Sequence, residues 1–316
     1  GRTVAFFAFD PAGPSLWVRP LGSATARPLP DTTGENAPLF WSYDSRTVAY
    51  FSGGKLKKVS IDGGSPVTIA SARLGRGGTW NRDGVIVFAP ALEGPLSRVS
   101  SGGGETAPVT TLDAARHETS HRFPCFLPDG DHFLYVALPP GPDGWDTFVG
   151  SLKSKSVKKV LTAGSAAVFA EPGYLVFVRE GRVMAQRFDA GRLELSGDAV
   201  AIGDAPGYSD TDAEPVASAS RNGRLIVLQS DVPPTKLQWL DRTGASSGAI
   251  TMPPGPWNVQ RLSPDGRRAG VINGTDIWIV DLSRSMPTLF APTMSTEASL
   301  AWSPDGSRMA YVSKQT

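Results

Sequence analysis

Short apolar runs alternate with tight-turn signals along the whole sequence. The clearest unit lies near the end, where the apolar residues 300–302 lead into Pro304-Asp305-Gly306 and then into residues 309–312. Proline presets φ for a turn, aspartate bonds its own backbone, and glycine accepts a positive φ. The side chains on both sides of the turn alternate with a period of two. The pattern therefore predicts two antiparallel strands joined by a tight turn.

The same unit recurs about every 40–50 residues, which is typical of propeller repeats. Further turns are Tyr43-Asp44-Ser45, Arg82-Asp83-Gly84, Pro128-Asp129-Gly130, Glu171-Pro172-Gly173, Arg221-Asn222-Gly223 and Pro264-Asp265-Gly266. Each unit divides into four strands, a to d, with the turn between a and b, and no stretch shows sustained helical periodicity. The sequence therefore predicts an all-β protein, a β-propeller of four-stranded antiparallel blades.

Seven blades are predicted if strand a at residues 300–302 completes the blade formed by residues 4–29. The strand at residues 309–313 is then in excess. Six blades result if the weak repeat around residues 163–220 is irregular, and a cut from a longer array is the other alternative. We expect residues 1–316 to form a single propeller. Because the chain opens in the middle of a unit, we also expect it to be part of a longer polypeptide.

Composition narrows the classes of partner. The 31 Lys and Arg residues nearly balance the 30 Asp and Glu residues, which argues against a nucleic-acid-binding surface. No apolar run approaches the ~20 residues of a membrane-spanning helix, so we expect no membrane insertion by this segment. The single cysteine, Cys125, excludes an internal disulfide. Its place in a predicted inner strand favours a buried, inert thiol.

The units with Trp302-Ser303-Pro304-Asp305-Gly306 resemble the WD40-like repeats of TolB-type β-propellers over essentially the whole chain. Residues 54–59, 76–86, 118–124 and 172–181 also resemble the propeller that follows a transmembrane helix in bacterial receptor-type serine/threonine protein kinases. That resemblance implies an extracytoplasmic sensor domain, periplasmic or at the cell surface, of a membrane-anchored parent protein. The chain has no Gly-rich nucleotide loop, His-Arg-Asp or Asp-Phe-Gly motif, so no kinase activity is expected in these residues.

One enzyme signature is present, because His117-Glu118-Thr119-Ser120-His121 matches the zinc-protease pattern H-E-x-x-H. That chemistry requires a helix, so that both imidazoles share one face. Pro124 follows closely, and the repeat places His121 at the entry to strand a, where residues four apart are ~13 Å from each other. We therefore predict loop residues and no metal or other cofactor. A G-x-S-x-G nucleophile motif is also missing, so we expect a non-catalytic chain.

The connections from strand d to the next strand a should meet at one rim of the propeller channel. Their polar and aromatic residues are Glu35, Arg76, His121, Arg122, Asp212, Glu214, Trp257, Asn258 and Glu297. We predict that this mouth binds a protein, a peptide or a small molecule. Asp210, Asp212 and Glu214 could also hold Ca²⁺, but their spacing lacks the full calcium-loop pattern, which favours an ordinary acidic loop.

The sequence therefore predicts a binding module, the sensor or protein-interaction domain of a bacterial transmembrane serine/threonine kinase. Two alternatives stay open at this point. One is a substrate-gating propeller of a prolyl-oligopeptidase-like serine peptidase. The other is a periplasmic adaptor like TolB.

Overall fold

The structure is a computed structural model. It describes residues 1–10, 13–33, 38–141, 144–205, 214–227, 237–243, 245–250, 257–273, 276–284, 286–291 and 298–312. The chain divides into two compact units, one of Gly1–Ala205 with Ala213–Leu228 and one of Pro206–Asp212 with Gln229–Thr316. Apart from one short 3₁₀ helix, the regular elements of the described residues are β-strands, and neighbouring strands pair antiparallel.

The first unit contains five sheets and a hairpin, each formed by consecutive strands. A three-stranded sheet has β1 (Thr3–Asp10), β2 (Gly13–Pro20) and β3 (Arg27–Thr33). The second sheet has four strands, β4 (Phe40–Trp41), β5 (Thr47–Ser52), β6 (Lys55–Ser60) and β7 (Val67–Ser71). The third sheet also has four strands, β8 (Gly78–Trp80), β9 (Val85–Phe88), β10 (Ser97–Ser100) and β11 (Ala107–Pro108). The fourth sheet follows the 3₁₀ helix Ala114–Arg116 and has β12 (Ser120–Phe126), β13 (His132–Gly141), β14 (Gly144–Ser151) and β15 (Lys158–Ala163). The fifth sheet has β16 (Val168–Ala170), β17 (Tyr174–Arg179), β18 (Arg182–Asp189) and β19 (Glu194–Asp204). The hairpin of β20 (Ala217–Ala219) and β21 (Leu225–Val227) follows it.

The second unit contains two hairpins and one four-stranded sheet. The first hairpin has β22 (Leu237–Leu240) and β23 (Ser246–Ile250). The sheet has β24 (Trp257–Leu262), β25 (Arg268–Asn273), β26 (Asp276–Asp281) and β27 (Met286–Ala291). The second hairpin has β28 (Ala298–Trp302) and β29 (Met309–Val312).

The predicted all-β class and the four-stranded antiparallel blade are confirmed. The predicted strands at residues 78–80 and 85–88 coincide with β8 and β9. The irregularity suggested for residues 163–220 is wrong for most of that segment, because residues 168–204 form a complete four-stranded sheet. The number of seven blades, the completion of the first blade by residues 300–302 and the single propeller domain stay predictions.

The hydrophobic core lies between neighbouring sheets. Strand β5 shows why, because its successive side chains point to opposite faces and its four central residues, 48–51, are all apolar. Val48 and Tyr50 pack with Leu16 of the first sheet, whereas Phe51 packs with Ile86 of the next one. Each large side chain buried in this way contributes about 1.5–3 kcal/mol to stability. The continuous apolar runs of the second strands thus specify sheets that are covered on both faces.

We call the side with the a–b turns the turn end; in the first unit its turns are residues 42–46, 81–84, 127–131, 170–173 and 220–223. The motif has a structural explanation there. Thr47 N–H donates to Ser42 Oγ (3.0 Å), and Ser42 Oγ–H donates to Asp44 Oδ1 (2.6 Å). Ser303 and Asp305 repeat this arrangement in the second unit, where the Ser303 hydrogen bond helps to lower the pKa of Asp305 to about 2. The repeated residues of the motif therefore stabilise the a–b turns, so we expect contacts with a partner at the opposite end of the sheets.

Candidate binding surface at the loop end

The opposite side of the first unit, which we call the loop end, is formed by the connections at residues 72–77, 89–96 and 109–119. Residues 72–77 lead into the sheet of β8–β11, residues 89–96 connect β9 to β10 within it, and residues 109–119 lead out of it. Backbone hydrogen bonds join these three segments. The bonds run from Leu74 N to Pro90 O (3.2 Å), from Arg76 N to Ala89 O (3.1 Å), from Gly94 N to Thr119 O (2.8 Å) and from His121 N to Gly94 O (3.0 Å). Loops tied to one another in this way form a pre-organised surface.

Two glycines fix the first of these connections. A Cβ on the buried Gly75 would lie 2.1 Å from Cδ1 of Phe51, so the loop backbone lies directly on that ring. Gly77 has a φ of +87°, which side chains other than glycine rarely adopt. The backbone between them continues the network, because Phe123 N–H donates to Arg76 O (3.0 Å). Arg76 therefore stands on a backbone that cannot easily shift.

The side chain of Arg76 is half-buried and makes little use of its donors. Its Nη1 makes one long hydrogen bond of 3.4 Å to Gly75 O. Its Nε is buried and has no hydrogen-bond partner among the described residues. Because the buried Nε is closed to a ligand, the binding capacity that the described fold leaves unused lies in the Nη groups, which make a single long hydrogen bond.

Two exposed leucines accompany Arg76. Leu74 is 41% exposed and Leu92 is 38% exposed, on neighbouring connections. Arg73 and Glu93 beside them are exposed as well. The loop end thus combines apolar side chains with charges of both signs, which is the composition of many binding surfaces. We call Arg73, Leu74, Arg76, Leu92 and Glu93 the Arg76 patch.

Arg122 is bonded to the backbone of the connection that carries Leu92. The residue is only 7% exposed. Its Nη2 donates to Leu92 O (2.9 Å), and its Nε donates to Ser120 Oγ (3.3 Å). The expectation that Arg122 lines an open mouth needs correction, because its donors hold the connection that carries Leu92.

His121 also lies inside the fold, in β12, with 1% of its surface exposed. Glu118 Oε2 lies 3.0 Å from Nε2 of His121, and a carboxylate oxygen can only accept, so the proton of the neutral ring is on Nε2. Nδ1 then accepts from the hydroxyl of Thr110 (2.8 Å), whose oxygen accepts from Leu96 N–H (2.9 Å). Burial lowers the pKa of His121, although the hydrogen bond with Glu118 opposes that shift. His121 is therefore a buried structural residue, not the loop residue expected from the sequence.

Glu118 is the centre of this network. Its carboxylate accepts hydrogen bonds from Asp113 N (2.7 Å) and Arg116 Nε (3.0 Å) in addition to His121. The guanidinium of Arg116 lies 4.8 Å from the centre of the Phe148 ring. These contacts fold residues 109–119 against the neighbouring sheet.

The H-E-x-x-H segment does not form a helix. His117 is exposed and has the left-handed φ of 55° that ends the 3₁₀ helix, whereas His121 points into the network with Glu118. Within the described residues there is no group of three or more His, Cys, Asp or Glu side chains placed to hold a metal ion. Cys125 is half-buried in β12, and burial raises the pKa of its thiol.

Of the other predicted site residues, the structure describes Glu214 and the backbones of Trp257 and Asn258. Glu214 is half-buried before β20 in the first unit. Trp257 and Asn258 begin β24 in the second unit, but their side chains lie outside the described part of the chain. The whole residues Glu35, Asp212 and Glu297 also lie outside it. Sequence reasoning missed Leu74 and Leu92, for which the only signal is a leucine beside charged and glycine residues in a predicted loop.

A scan of protein-family models finds no match to the sequence, and a search of curated proteins also finds no match. Among solved structures, a protein from Agrobacterium tumefaciens assigned as TolB is similar, with 15% identity, coverage of 91% of this chain and 94% of that chain, and a TM-score of 0.50. TolB from Acinetobacter baumannii has 13% identity, coverage of 60% of this chain and a TM-score of 0.49, and this chain spans only 49% of its length. A structure from a study of two prolyl endopeptidases has 16% identity, coverage of 92% of this chain and 47% of that chain, and a TM-score of 0.45.

None of the described segments forms a helix with the length and apolar character needed to cross a bilayer. At these identities the comparisons concern the fold alone. The similarity to the Agrobacterium tumefaciens structure and the sheets described above lead to one conclusion: the chain has a β-propeller fold similar to that of TolB.

Proposed function

We propose that this chain is a non-catalytic binding module that takes a protein or peptide partner on its loop end. The observation that carries the proposal is the Arg76 patch. It presents an underused guanidinium together with two exposed leucines, on connections fixed by backbone hydrogen bonds.

Energetics support a role in binding. A surface that is already ordered loses little conformational entropy when a partner docks. Arginine is enriched at the centres of interfaces, where it provides directed hydrogen bonds, and the two leucines add apolar area. The described residues around the patch offer no exposed nucleophile and base in contact, since His121 is 1% exposed and bonded through both ring nitrogens.

We further propose that the parent protein is a membrane-anchored bacterial serine/threonine kinase and that this chain is its extracytoplasmic sensor. Two segments that carry the kinase resemblance, residues 76–86 and 118–124, include Arg76 and the Glu118–His121 network. The coding sequence on either side tests this part. An upstream kinase signature set and membrane span would support it, whereas a downstream G-x-S-x-G in an α/β pattern would identify a peptidase and overturn it.

Selection of peptides from a random dodecapeptide display library on the immobilised chain tests the binding role. We expect selected peptides to bind at least tenfold more weakly to Leu74→Ser and Leu92→Ser variants. Val67→Ser, which replaces a similarly exposed apolar residue on β7, is the matched control and should bind like the wild type. Failure to select any peptide, or equal binding to all variants, would overturn the proposal.

A further inference from the structure

We infer that the ligand of the Arg76 patch is an acidic peptide segment, in which one carboxylate is accompanied by apolar side chains. This inference rests on the proposed binding function and specifies its ligand. The carboxylate would bind Arg76, and the apolar side chains would cover Leu74 and Leu92.

Arg76 differs from the other arginines near it in how its donors are used. Arg122 donates to Leu92 O and Ser120 Oγ. Arg116 bonds Glu118 through Nε (3.0 Å) and Nη2 (2.9 Å). Arg76, by contrast, has one long bond of 3.4 Å and an Nε with no partner among the described residues. Of these three guanidinium groups, that of Arg76 is the one the fold leaves available.

The surroundings of Arg76 strengthen its attraction for an anion. A half-buried guanidinium is screened less by water than an exposed one, so its interaction with a carboxylate is stronger. The neighbouring Arg73 adds positive charge, and Glu93 removes part of it. The patch thus has a small net positive charge.

This charge favours a carboxylate over a phosphate group. A phosphate ester carries about −1.5 to −2 charges at neutral pH and is usually bound by a cluster of arginines. The patch has one half-buried arginine, and Glu93 would repel a dianion. The exposed Leu74 and Leu92 also favour apolar groups next to the charge, which a free anion lacks and a peptide provides.

The dodecapeptide display library tests the inference when it is selected in parallel on the wild-type chain and on an Arg76→Gln variant. The loop backbone is held by main-chain bonds and by Gly75, so we expect the variant to fold. Arg82→Gln is the matched control, because Arg82 is an exposed arginine of the turn end that donates to Asp129 O (3.2 Å).

We expect peptides selected on the wild type to be enriched in Asp or Glu next to apolar residues. A selected peptide should bind at least tenfold more tightly than its Asn or Gln analogue, and this preference should disappear in Arg76→Gln and persist in Arg82→Gln. Peptides that depend on Leu74 and Leu92 but contain no carboxylate, or that keep their carboxylate preference in Arg76→Gln, would overturn the inference and leave the binding function standing. Failure to select any peptide dependent on the loop end would overturn both.

Discussion

The turn end and the loop end of the sheets are stabilised in different ways. At the turn end, one small arrangement recurs, with a serine hydroxyl joined to an aspartate carboxylate as in Ser42 with Asp44 and Ser263 with Asp265. At the loop end, the contacts of residues 109–119 are not repeated, and the Glu118–His121 network occurs once among the described residues. Repetition at one end specifies the fold, whereas the departure from it at the other end creates a distinct surface.

This difference has an energetic consequence. A repeated turn spreads stability over several weak and similar contributions, so losing one should cost little. A single buried network concentrates stability in a few side chains, so losing one should cost much more. The predictions below test that contrast, beginning with the largest effect.

Glu118→Ala should have the largest effect on stability. The substitution leaves the N–H of Asp113 and the buried Nε2–H of His121 without their acceptor. Each buried donor left unpaired costs about 1–3 kcal/mol, so we expect a loss of about 2–4 kcal/mol in the free energy of unfolding. Urea denaturation measures this loss, and Glu93→Ala on the adjacent exposed connection should change stability by less than about 0.5 kcal/mol. Equal effects of the two substitutions would remove the proposed role of the network.

Gly75→Ala should have the next largest effect. The added Cβ would lie 2.1 Å from Cδ1 of Phe51, so the loop or the ring must move. Overpacking of this kind costs about 1–3 kcal/mol. Gly22→Ala is the matched control, because a Cβ at Gly22 meets nothing within 4 Å. Thermal unfolding should show a lower midpoint for Gly75→Ala alone; a midpoint equal to that of the control would contradict the close approach to Phe51.

Ser42→Ala should have a smaller effect, in keeping with the turn end. The substitution removes the acceptor of Thr47 N–H and the donor to Asp44, while Asp44 still accepts from Arg46 N–H (3.1 Å). A single hydrogen-bonded contact of this kind contributes about 0.5–1.5 kcal/mol. Urea midpoints of Ser42→Ala and of the exposed control Ser65→Ala measure it. A loss as large as that of Glu118→Ala would contradict the distributed stability of the turn end.

The pH dependence of the free energy of unfolding should reveal the network at the loop end. Burial lowers the pKa of His121 below its ordinary value of 6.5, so as the pH falls the imidazole takes up a proton in the unfolded chain at a higher pH than in the folded chain. The contribution of His121 is therefore complete above pH 6.5 and is lost as the pH falls through the lowered pKa of the folded state. Urea midpoints between pH 8 and pH 5 should fall more steeply for the wild type than for His121→Gln. Parallel curves would contradict a buried neutral imidazole in contact with Glu118.

The fold could be predicted from the sequence because its signals are local and repeated. A turn such as Pro304-Asp305-Gly306 is decided by its own residues, and the apolar runs beside it have a period of two. The loop end could be predicted only in part. Its position followed from strand order, but the burial of His121 depends on Thr110, Glu118 and Leu96, whose approach is decided by tertiary packing.

Exposure was the property that sequence reasoning could not assign. Arg76 and Arg122 are the same residue type in the same kind of predicted connection. Only the structure shows that Arg122 donates to a backbone carbonyl of the neighbouring connection, whereas the guanidinium of Arg76 makes a single long hydrogen bond. The same holds for Leu74 and Leu92, because an exposed leucine and a core leucine look alike in a sequence of short apolar runs.

Hydrogen exchange measured by mass spectrometry, with and without a peptide selected on the immobilised chain, tests most directly whether the loop end is the binding surface. We predict slower exchange on peptide binding in residues 72–77 and 89–96, and unchanged exchange at the turns of residues 42–46 and 127–131. Protection of those turns with no change at the Arg76 patch would contradict the account.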